Sequence, residues 1–423
     1  MPIIEGGLNI RFPRMIKVRQ KFDSYKVEDI HSIICEQMSQ KNIRKKIKPG
    51  MSIAIGVGSR GISNLFEIVQ GVIDETRKYG ANPFVVPAMG SHGGATSEGQ
   101  KEVLASYGIT EKTLKVPIKS SMNVVQVGQD CEGIPVYFDE IAFYSDGIIP
   151  INRVKIHTDF RGEVESGLLK MLVIGFGNHK GASTIHSFGL KNFCHLIPEI
   201  GSIIIKKVPI LFGVACIEDA FEDTAEIKVI LPEEFYSQEK EMLKTSKKIM
   251  AKIKIPQIEV LIIDEVGKNI SGDCLDPNIV GRFSDKESNN VKAPLVKVII
   301  VLRLTEKSHG NANGVGYADI TVKKLFDKID FSATYANAFT SGVLDVAKIP
   351  IVMDTDEEAI ALGIKLTYRI NTSNVRVVRI KNTLNIHEIM VSESVYQEIK
   401  DKRYFEVVGS FKKMKFNKSG DII

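Results

Sequence analysis

Residues 52–61 have the sequence SIAIGVGSRG. The apolar, β-branched part, Ser52–Val57, predicts a buried strand, and the glycines that follow predict a tight turn. From about residue 50 onward, short apolar runs of this kind alternate with amphipathic helical patterns. Such alternation is typical of parallel α/β units, so these residues indicate the fold class of the chain.

The pattern continues on the C-terminal side of this stretch. Apolar residues from Ile62 to Ile73 recur at helical spacing, and residues 83–88 predict the next strand. A glycine-rich loop, residues 90–96, follows, and Thr96 or Ser97 is expected to cap a helix that runs through Tyr107. Residues 147–152 predict a further strand that leads into a polar loop.

The second half of the chain repeats this organisation. A long charged helix is predicted from Pro232 to about Lys254, and the strand Glu259–Asp264 follows it. We therefore expect two domains, an N-terminal catalytic domain of residues 1–250 and a C-terminal α/β domain of residues 251–423 that completes the substrate site. The predicted fold class is α/β, with mainly parallel sheets in both domains and an active-site cleft between them.

Composition excludes several classes of protein. Of 423 residues, 43% are hydrophobic and 25% are charged, which is typical of a globular chain and not of a disordered one. The formal net charge of +5 is too small and too dispersed to indicate nucleic-acid binding. The five cysteines lack metal-binding spacing, and no apolar run reaches the roughly 20 residues of a membrane helix. We expect a cytoplasmic protein that binds neither nucleic acid nor membrane.

The segment Gly56–Gly61 matches the pattern GxGxxG of dinucleotide-binding folds. These folds also carry an acidic residue at the end of the second strand, which residues 84–90 lack. A helix N-terminus that receives an anion beside Arg60 is the other interpretation. An NAD-dependent 2-hydroxyacid dehydrogenase and a non-catalytic binder of an anionic metabolite therefore stay open.

Histidine and lysine concentrate in a few glycine-rich places. His92 follows a predicted strand between small residues, and His157 follows another. Lys170 stands inside the apolar run LLKMLVI, where a buried ammonium is costly unless it is paired, neutralised or covalently used. Two histidines, His179 and His186, come after it without a carboxylate or thiolate at ligand spacing, so they form no recognisable zinc motif.

Taken in order, the residues Gly58-Ser59-Arg60, Gly90-Ser91-His92, His157, Lys170 and His186 resemble those of the nickel-dependent lactate racemase family. The family consists of isomerases, the racemases and epimerases of 2-hydroxyacids. In it a lysine is joined to a nickel-pincer nucleotide, pyridinium-3-thioamide-5-thiocarboxylic acid mononucleotide, and a histidine sixteen residues later binds the nickel. Lys170 and His186 have this separation.

The resemblance implies a role for each residue of the set. His92 and His157 would be the acid/base pair, one for each face of the substrate, and Arg60 would bind the substrate carboxylate. Lys170 would carry the cofactor covalently, with Gly58 and Ser59 beside it. The reaction implied is inversion of C2 of a 2-hydroxyacid by proton-coupled hydride transfer.

The second half bears on the choice of substrate. The Tyr-Gln pair associated with lactate enzymes is absent, and Lys268 and Arg282 are candidates to bind a second carboxylate or several hydroxyls. We therefore expect a 2-hydroxyacid other than lactate, with sugar acids, malate-like diacids and aromatic acids all open. The enzymes that synthesise the cofactor are the expected partners, and the sequence does not determine the oligomeric state.

Overall fold

The computed structural model describes residues 7–59, 61–283, 293–368 and 371–423. The chain forms two compact units, Asp23–Met250 and a second unit that joins the segment before Asp23 to Ala251–Ile423. The strands are β1 (Arg14–Gln20), β2 (Ser52–Val57), β3 (Asn82–Pro87), β4 (Val124–Gln129), β5 (Pro135–Asp139), β6 (Gly147–Arg153), β7 (Gly213–Glu218), β8 (Thr224–Ile230), β9 (Gln257–Ile263), β10 (Leu295–Val301), β11 (Ile320–Val322), β12 (Ile351–Met353), β13 (Val377–Ile380), β14 (Glu388–Ser392), β15 (Phe405–Val407) and β16 (Lys412–Lys413).

The α-helices are α1 (Ile30–Ser39), α2 (Lys41–Arg44), α3 (Leu65–Lys78), α4 (Ser97–Ser106), α5 (Glu111–Leu114), α6 (Glu140–Phe143), α7 (Leu168–Lys170), α8 (Asn178–His186), α9 (Phe193–Lys207), α10 (Phe235–Ile249), α11 (Pro277–Val280), α12 (Lys323–Phe326), α13 (Phe331–Ser341), α14 (Asp356–Lys365) and α15 (Glu393–Ile399). Both units have parallel strands at the centre of their main sheet, which confirms the predicted α/β class.

The unit Asp23–Met250 contains a five-stranded sheet of order β3-β2-β6-β7-β8. The first four strands are parallel, and β8 pairs antiparallel to β7. The central strand β2 has the predicted bounds and is buried from Ile53 to Val57. Burial on both faces is what a parallel sheet between helical layers requires.

The two faces of β2 pack against different layers. Ile53, Ile55 and Val57 join the core cluster that includes apolar residues of α1 and α3. On the opposite face, Gly56 lies against the ring of Phe176, and a Cβ there would come within 2.2 Å of its Cζ atom. Side chains alternate across a strand, so this glycine makes room for the layer that begins with α7.

Three loops leave the same edge of this sheet. Val57 lies opposite both Pro87 of β3 and Ile151 of β6, so the carboxyl ends of these parallel strands lie at one edge, with β6 continuing to Arg153. The segments that follow them contain Ser59, His92 and His157, respectively. The carboxyl edge of a parallel sheet is where α/β proteins place their ligand sites.

The second unit has a larger mixed sheet of order β12-β11-β10-β9-β13-β14-β1-β15, with β16 beside β1. Strands β9 to β13 are parallel, whereas β1 pairs antiparallel to β14 and β15. The segment before Asp23 therefore belongs to the unit of Ala251–Ile423. The helix predicted to reach Lys254 ends at Ile249, because Met250 already has extended backbone angles.

No helix in the described ranges is both long and apolar enough to cross a membrane. All five cysteines are free thiols.

Candidate active site

Lys170 lies where an α-helical turn becomes a π-helical one. Helix α7 ends at Lys170, and residues 171–175 continue as a π turn in which the Phe176 N–H donates to the Met171 carbonyl at 2.9 Å. The neighbours Leu169 and Met171 are buried, while Lys170 itself is half-buried. Single π turns inside helices recur at functional sites.

The amine of Lys170 meets the imidazole of His157. The two atoms Nζ and Nε2 are 2.7 Å apart, and the backbone N–H of Asp159 donates to Nδ1 of His157 at 3.0 Å. The Asp159 carboxylate also lies near this nitrogen, with Oδ2 3.7 Å from Nδ1 of His157.

A buried carboxylate holds the loop of His157. Glu165, whose side chain is fully buried, accepts the His157 N–H at 2.7 Å and forms an ion pair with Lys247 at 2.7 Å. The guanidinium of Arg161 donates to the His157 carbonyl at 2.6 Å. The backbone of His157 is thus bonded on both its donor and its acceptor side.

A second buried carboxyl group, that of Glu239, holds the turn of Lys170. Glu239 of α10 accepts backbone N–H groups of Leu168 and Leu169, the latter at 2.9 Å. Burial raises the pKa of Glu239 to about 8, against the opposing effect of these two donors. Glu239 is not among the predicted site residues, although it lies on the buried stripe of the helix with Phe235, Met242, Leu243, Ser246 and Ile249. An acidic residue in such a stripe is the signal that would have found it.

His186 at the end of α8 lies near Lys170. Burial lowers the pKa of His186 to about 4, and the positive charge of Lys170 contributes a smaller part. The imidazole is therefore neutral at physiological pH. Its Nδ1 atom is buried and has no hydrogen-bond partner among the described residues.

Aromatic rings connect His186 to His157. The ring centroids of His186 and Phe193 are 5.0 Å apart, those of Phe193 and Phe160 are 5.4 Å apart, and those of Phe160 and His157 are 4.4 Å apart. The structure therefore brings His157, Lys170 and His186 together in one cluster.

Within this cluster, His186 could supply one ligand of a metal site. A neutral imidazole with an unpartnered nitrogen is a suitable ligand for Ni(II). In the described part of the chain, no three His, Cys, Asp or Glu side chains form a group that could hold a metal ion.

Ser59 and His92 form a second pair at this edge of the sheet. The Ser59 hydroxyl is hydrogen-bonded to Nδ1 of His92, and the Ser59 carbonyl accepts from the Tyr107 hydroxyl at 2.7 Å. The loop of His92 also contacts the π turn, because Gly90, at φ +61°, donates its N–H to the Gly175 carbonyl at 3.0 Å. Thr96 caps α4 through the Gly99 N–H, as predicted.

The remaining predicted site residues are Arg60, Lys268 and Arg282. Arg60 lies outside the described residues. In the unit of Ala251–Ile423, the Lys268 amine donates to the Gly272 carbonyl. Arg282 is ion-paired with Asp319 at 2.7 Å. Their roles in substrate binding stay predictions.

No protein-family model matches this chain, and no curated protein matches it. Among solved structures, the chain is similar to that of the lactate racemase apoprotein from Thermoanaerobacterium thermosaccharolyticum. The TM-score is 0.48 and the sequence identity is 14%, with 89% of this chain and 85% of that chain covered. At these values the likeness assigns no role to any residue.

Proposed function

We propose that this protein is a racemase or epimerase that inverts C2 of a 2-hydroxyacid with a nickel-pincer nucleotide attached to Lys170. One observation carries the proposal: the Lys170 amine lies 2.7 Å from Nε2 of His157, beside the neutral imidazole of His186. A lysine amine, a base and an unpartnered metal-binding nitrogen are the three groups that this chemistry requires from the chain. The order and spacing of these residues in the sequence support the same function.

The chain's own residues would hold the cofactor at two points. Lys170 would form the covalent link, and Nδ1 of His186 is available as the ligand to nickel. Gly58, expected to contact the cofactor, lies in open surroundings, since a Cβ there would meet only ordinary contacts with Asn152 and Ala88. When bound, the nucleotide would supply a reversible hydride acceptor.

His157 and His92 would act as acid and base toward the substrate hydroxyl. Removal of that proton must accompany removal of hydride from C2, because the neighbouring carboxylate disfavours a carbanion. Ser59 engages Nδ1 of His92, so proton exchange with the substrate would fall to Nε2. One histidine would take the proton, and the other would return one on the opposite face of the transient 2-oxo acid.

Co-expression with the cofactor-synthesis enzymes tests the proposal. We expect an adduct on Lys170 by peptide mass spectrometry and about one nickel per chain. Enantiopure 2-hydroxyacids should lose optical purity, and a C2 deuterium should stay in the substrate, because hydride does not exchange with water. Lactate, malate-like diacids, sugar acids and aromatic acids form the substrate panel.

Matched variants distinguish the proposed role of Lys170 in attaching the cofactor from that of His186 in binding nickel. Lys170→Ala should abolish both adduct and turnover, whereas Lys180→Ala, at an exposed position of α8, should preserve both. His186→Ala should keep the adduct and lose nickel. Turnover by Lys170→Ala, or an unmodified Lys170 in a host that modifies a known lactate racemase, would contradict the proposal.

A further inference from the structure

A buried ion pair lies at the carboxyl edge of the five-stranded sheet. Arg153 is the last residue of β6, Glu218 is the last residue of β7, and the guanidinium is paired with the carboxylate. Their side chains are only 17% and 8% exposed, so both charges are largely removed from water. Because desolvation offsets much of the attraction, such a pair is weak evidence of added stability. Its effect on the geometry of its neighbours is the more informative property.

The carboxylate of Glu218 also holds the connection between β2 and α3. Its Oε2 atom contacts Arg153, whereas Oε1 accepts the backbone N–H of Ser63 at 2.7 Å. The hydroxyl of Thr224, at the start of β8, lies 3.0 Å from the carbonyl oxygen of Ser63. The backbone of Ser63 is therefore bonded on both sides by the hairpin of β7 and β8.

Strand order and side-chain alternation explain why these groups meet. Strand β6 lies between β2 and β7, so a connection that joins β2 to the end of β7 passes the end of β6. Arg153 and Glu218 share the face of the sheet that packs against α3, because side chains alternate along a strand. The alternate residues that precede them in β6 and β7 all join the core cluster with α3: Ile149, Ile151, Val214 and Cys216.

We infer that Glu218 is a positioning residue for Ser59 and His92. Ser59 lies four residues before Ser63 in the same connection, and its hydroxyl is hydrogen-bonded to Nδ1 of His92. Fixing Ser63 restricts Ser59, because β2 anchors the other end of this short connection. Arg153 in turn orients the carboxylate. The inference rests on the proposed function for the use of His92 in catalysis, whereas the contacts themselves belong to the chain without cofactor.

Two double variants test the inference without leaving a buried charge unpaired. Arg153→Met/Glu218→Gln removes both charges but retains a side-chain oxygen that can accept the Ser63 N–H. Arg153→Met/Glu218→Met has nearly the same volume and no such acceptor. Uncharged groups of similar volume often replace a buried ion pair without loss of stability, so we expect both proteins to fold.

The first measurement is hydrogen exchange of the Ser63 amide in the apoprotein, by mass spectrometry with fragmentation. Exchange should be at least about ten-fold faster in the Glu218→Met double variant than in the Glu218→Gln double variant. Amides of β13, in the other unit, are the control and should exchange alike in both proteins. Equal exchange of Ser63 in the two variants would overturn the inference.

A native-protein measurement keeps the inference falsifiable if a double variant does not fold. The Ser63 amide of the native apoprotein should exchange at least about a hundred-fold more slowly than an amide of an unstructured chain. An unprotected Ser63 amide would show that Glu218 does not hold this connection and would overturn the inference.

The imidazole of His92 reports the position of Ser59. Selective nitrogen-15 labelling of histidine in the apoprotein gives its Nδ1 resonance, which is assigned by its loss in His92→Gln. The Glu218→Met double variant should shift this resonance toward its value in Ser59→Ala, and the Glu218→Gln double variant should keep the native value. The same resonance in both double variants, native or shifted, would overturn the inference.

Turnover of the cofactor-loaded protein completes the test. We expect kcat to be about ten-fold lower in the Glu218→Met double variant and within about three-fold of native in the Glu218→Gln double variant. Both should carry the adduct on Lys170, and equal kcat values would overturn the inference. Absence of turnover in the native loaded protein would instead contradict the proposed function. The exchange and resonance measurements involve no nickel, nucleotide or hydroxyacid, so the two failures are distinguishable.

Discussion

The side-chain oxygen Oε1 of Glu239 accepts the backbone N–H of Leu169 at 2.9 Å, one residue before Lys170. Replacement by alanine leaves the N–H groups of Leu168 and Leu169 without this acceptor, and buried donors that lose a partner are costly. We expect Glu239→Ala to lower the free energy of unfolding by ~3 kcal/mol, measured by urea denaturation. Glu239→Gln, which keeps an acceptor oxygen, should lose less than half of that. Equal losses in both variants would contradict the role of the acceptor.

Glu239 also predicts a pH dependence of stability. Burial raises its pKa from 4.5 to about 8, so between these pH values the folded chain retains a proton that the unfolded chain releases. Its contribution to stability therefore falls as the pH rises through this range, by up to ~1.4 kcal/mol per pH unit. Glu239→Gln should remove this slope. Unfolding curves of both proteins from about pH 5 to about pH 8 measure it, and parallel pH profiles would contradict the prediction.

The close approach of Gly56 to Phe176 predicts a pair of compensating substitutions. A Cβ on Gly56 would come within 2.2 Å of the Phe176 ring, so we expect Gly56→Ala to cost ~3 kcal/mol of stability. Phe176→Leu removes the far end of the ring, and the double variant should recover more than 1 kcal/mol relative to additivity. Gly58→Ala is the control, because its Cβ would meet nothing closer than 3.8 Å. Additive losses from Gly56→Ala and Phe176→Leu would show that the contact does not limit stability.

The hydroxyl of Ser59 should matter for turnover more than for folding. Because it is bonded to Nδ1 of His92, Ser59→Ala should lower kcat about ten-fold in the cofactor-loaded protein. Ser59→Thr retains a hydroxyl and should stay within about three-fold of native kcat. Adduct analysis of Lys170 in each variant controls for loading. If alanine and threonine behave alike, Ser59 does not orient His92.

Asn178 and Asp139 predict a charge-dependent variant. The buried Asn178 amide donates to the Asp139 carboxylate at 2.8 Å, and burial raises the pKa of Asp139 to about 6. Asn178→Asp replaces the donor with a second carboxylate and should cost ~3 kcal/mol at about pH 8. The cost should shrink at about pH 5, where Asp139 is protonated. His179→Asp, at the next and exposed position, should cost little at either pH.

Local signals predicted the elements that depend on local interactions. Strand β2 has the predicted bounds, and the side chain of Thr96 caps its helix as expected, through the Gly99 N–H. Strand β1 was missed because its partners β14 and β15 lie more than 360 residues later in the chain. A strand whose partners are so distant leaves no mark in a short window of sequence.

For the candidate site as well, the sequence predicted some residues but not the contacts between them. Lys170 was predictable because a lysine in an apolar run is anomalous wherever it occurs. Its 2.7 Å contact with His157 was not, since it depends on how an irregular loop folds back along the sheet edge. Glu165 and Glu239, which hold that loop and that turn, became recognisable only when their backbone partners were known.

The π turn at residues 171–175 also bears on how the spacing of Lys170 and His186 can be understood. A π turn contains one residue more than an α turn, so it departs from the regular helical repeat. Asn178, at φ +50°, then separates this turn from α8, so the two segments do not form one continuous helix. The sixteen-residue separation of Lys170 and His186 thus crosses a π turn and a left-handed residue, and no helical periodicity describes it.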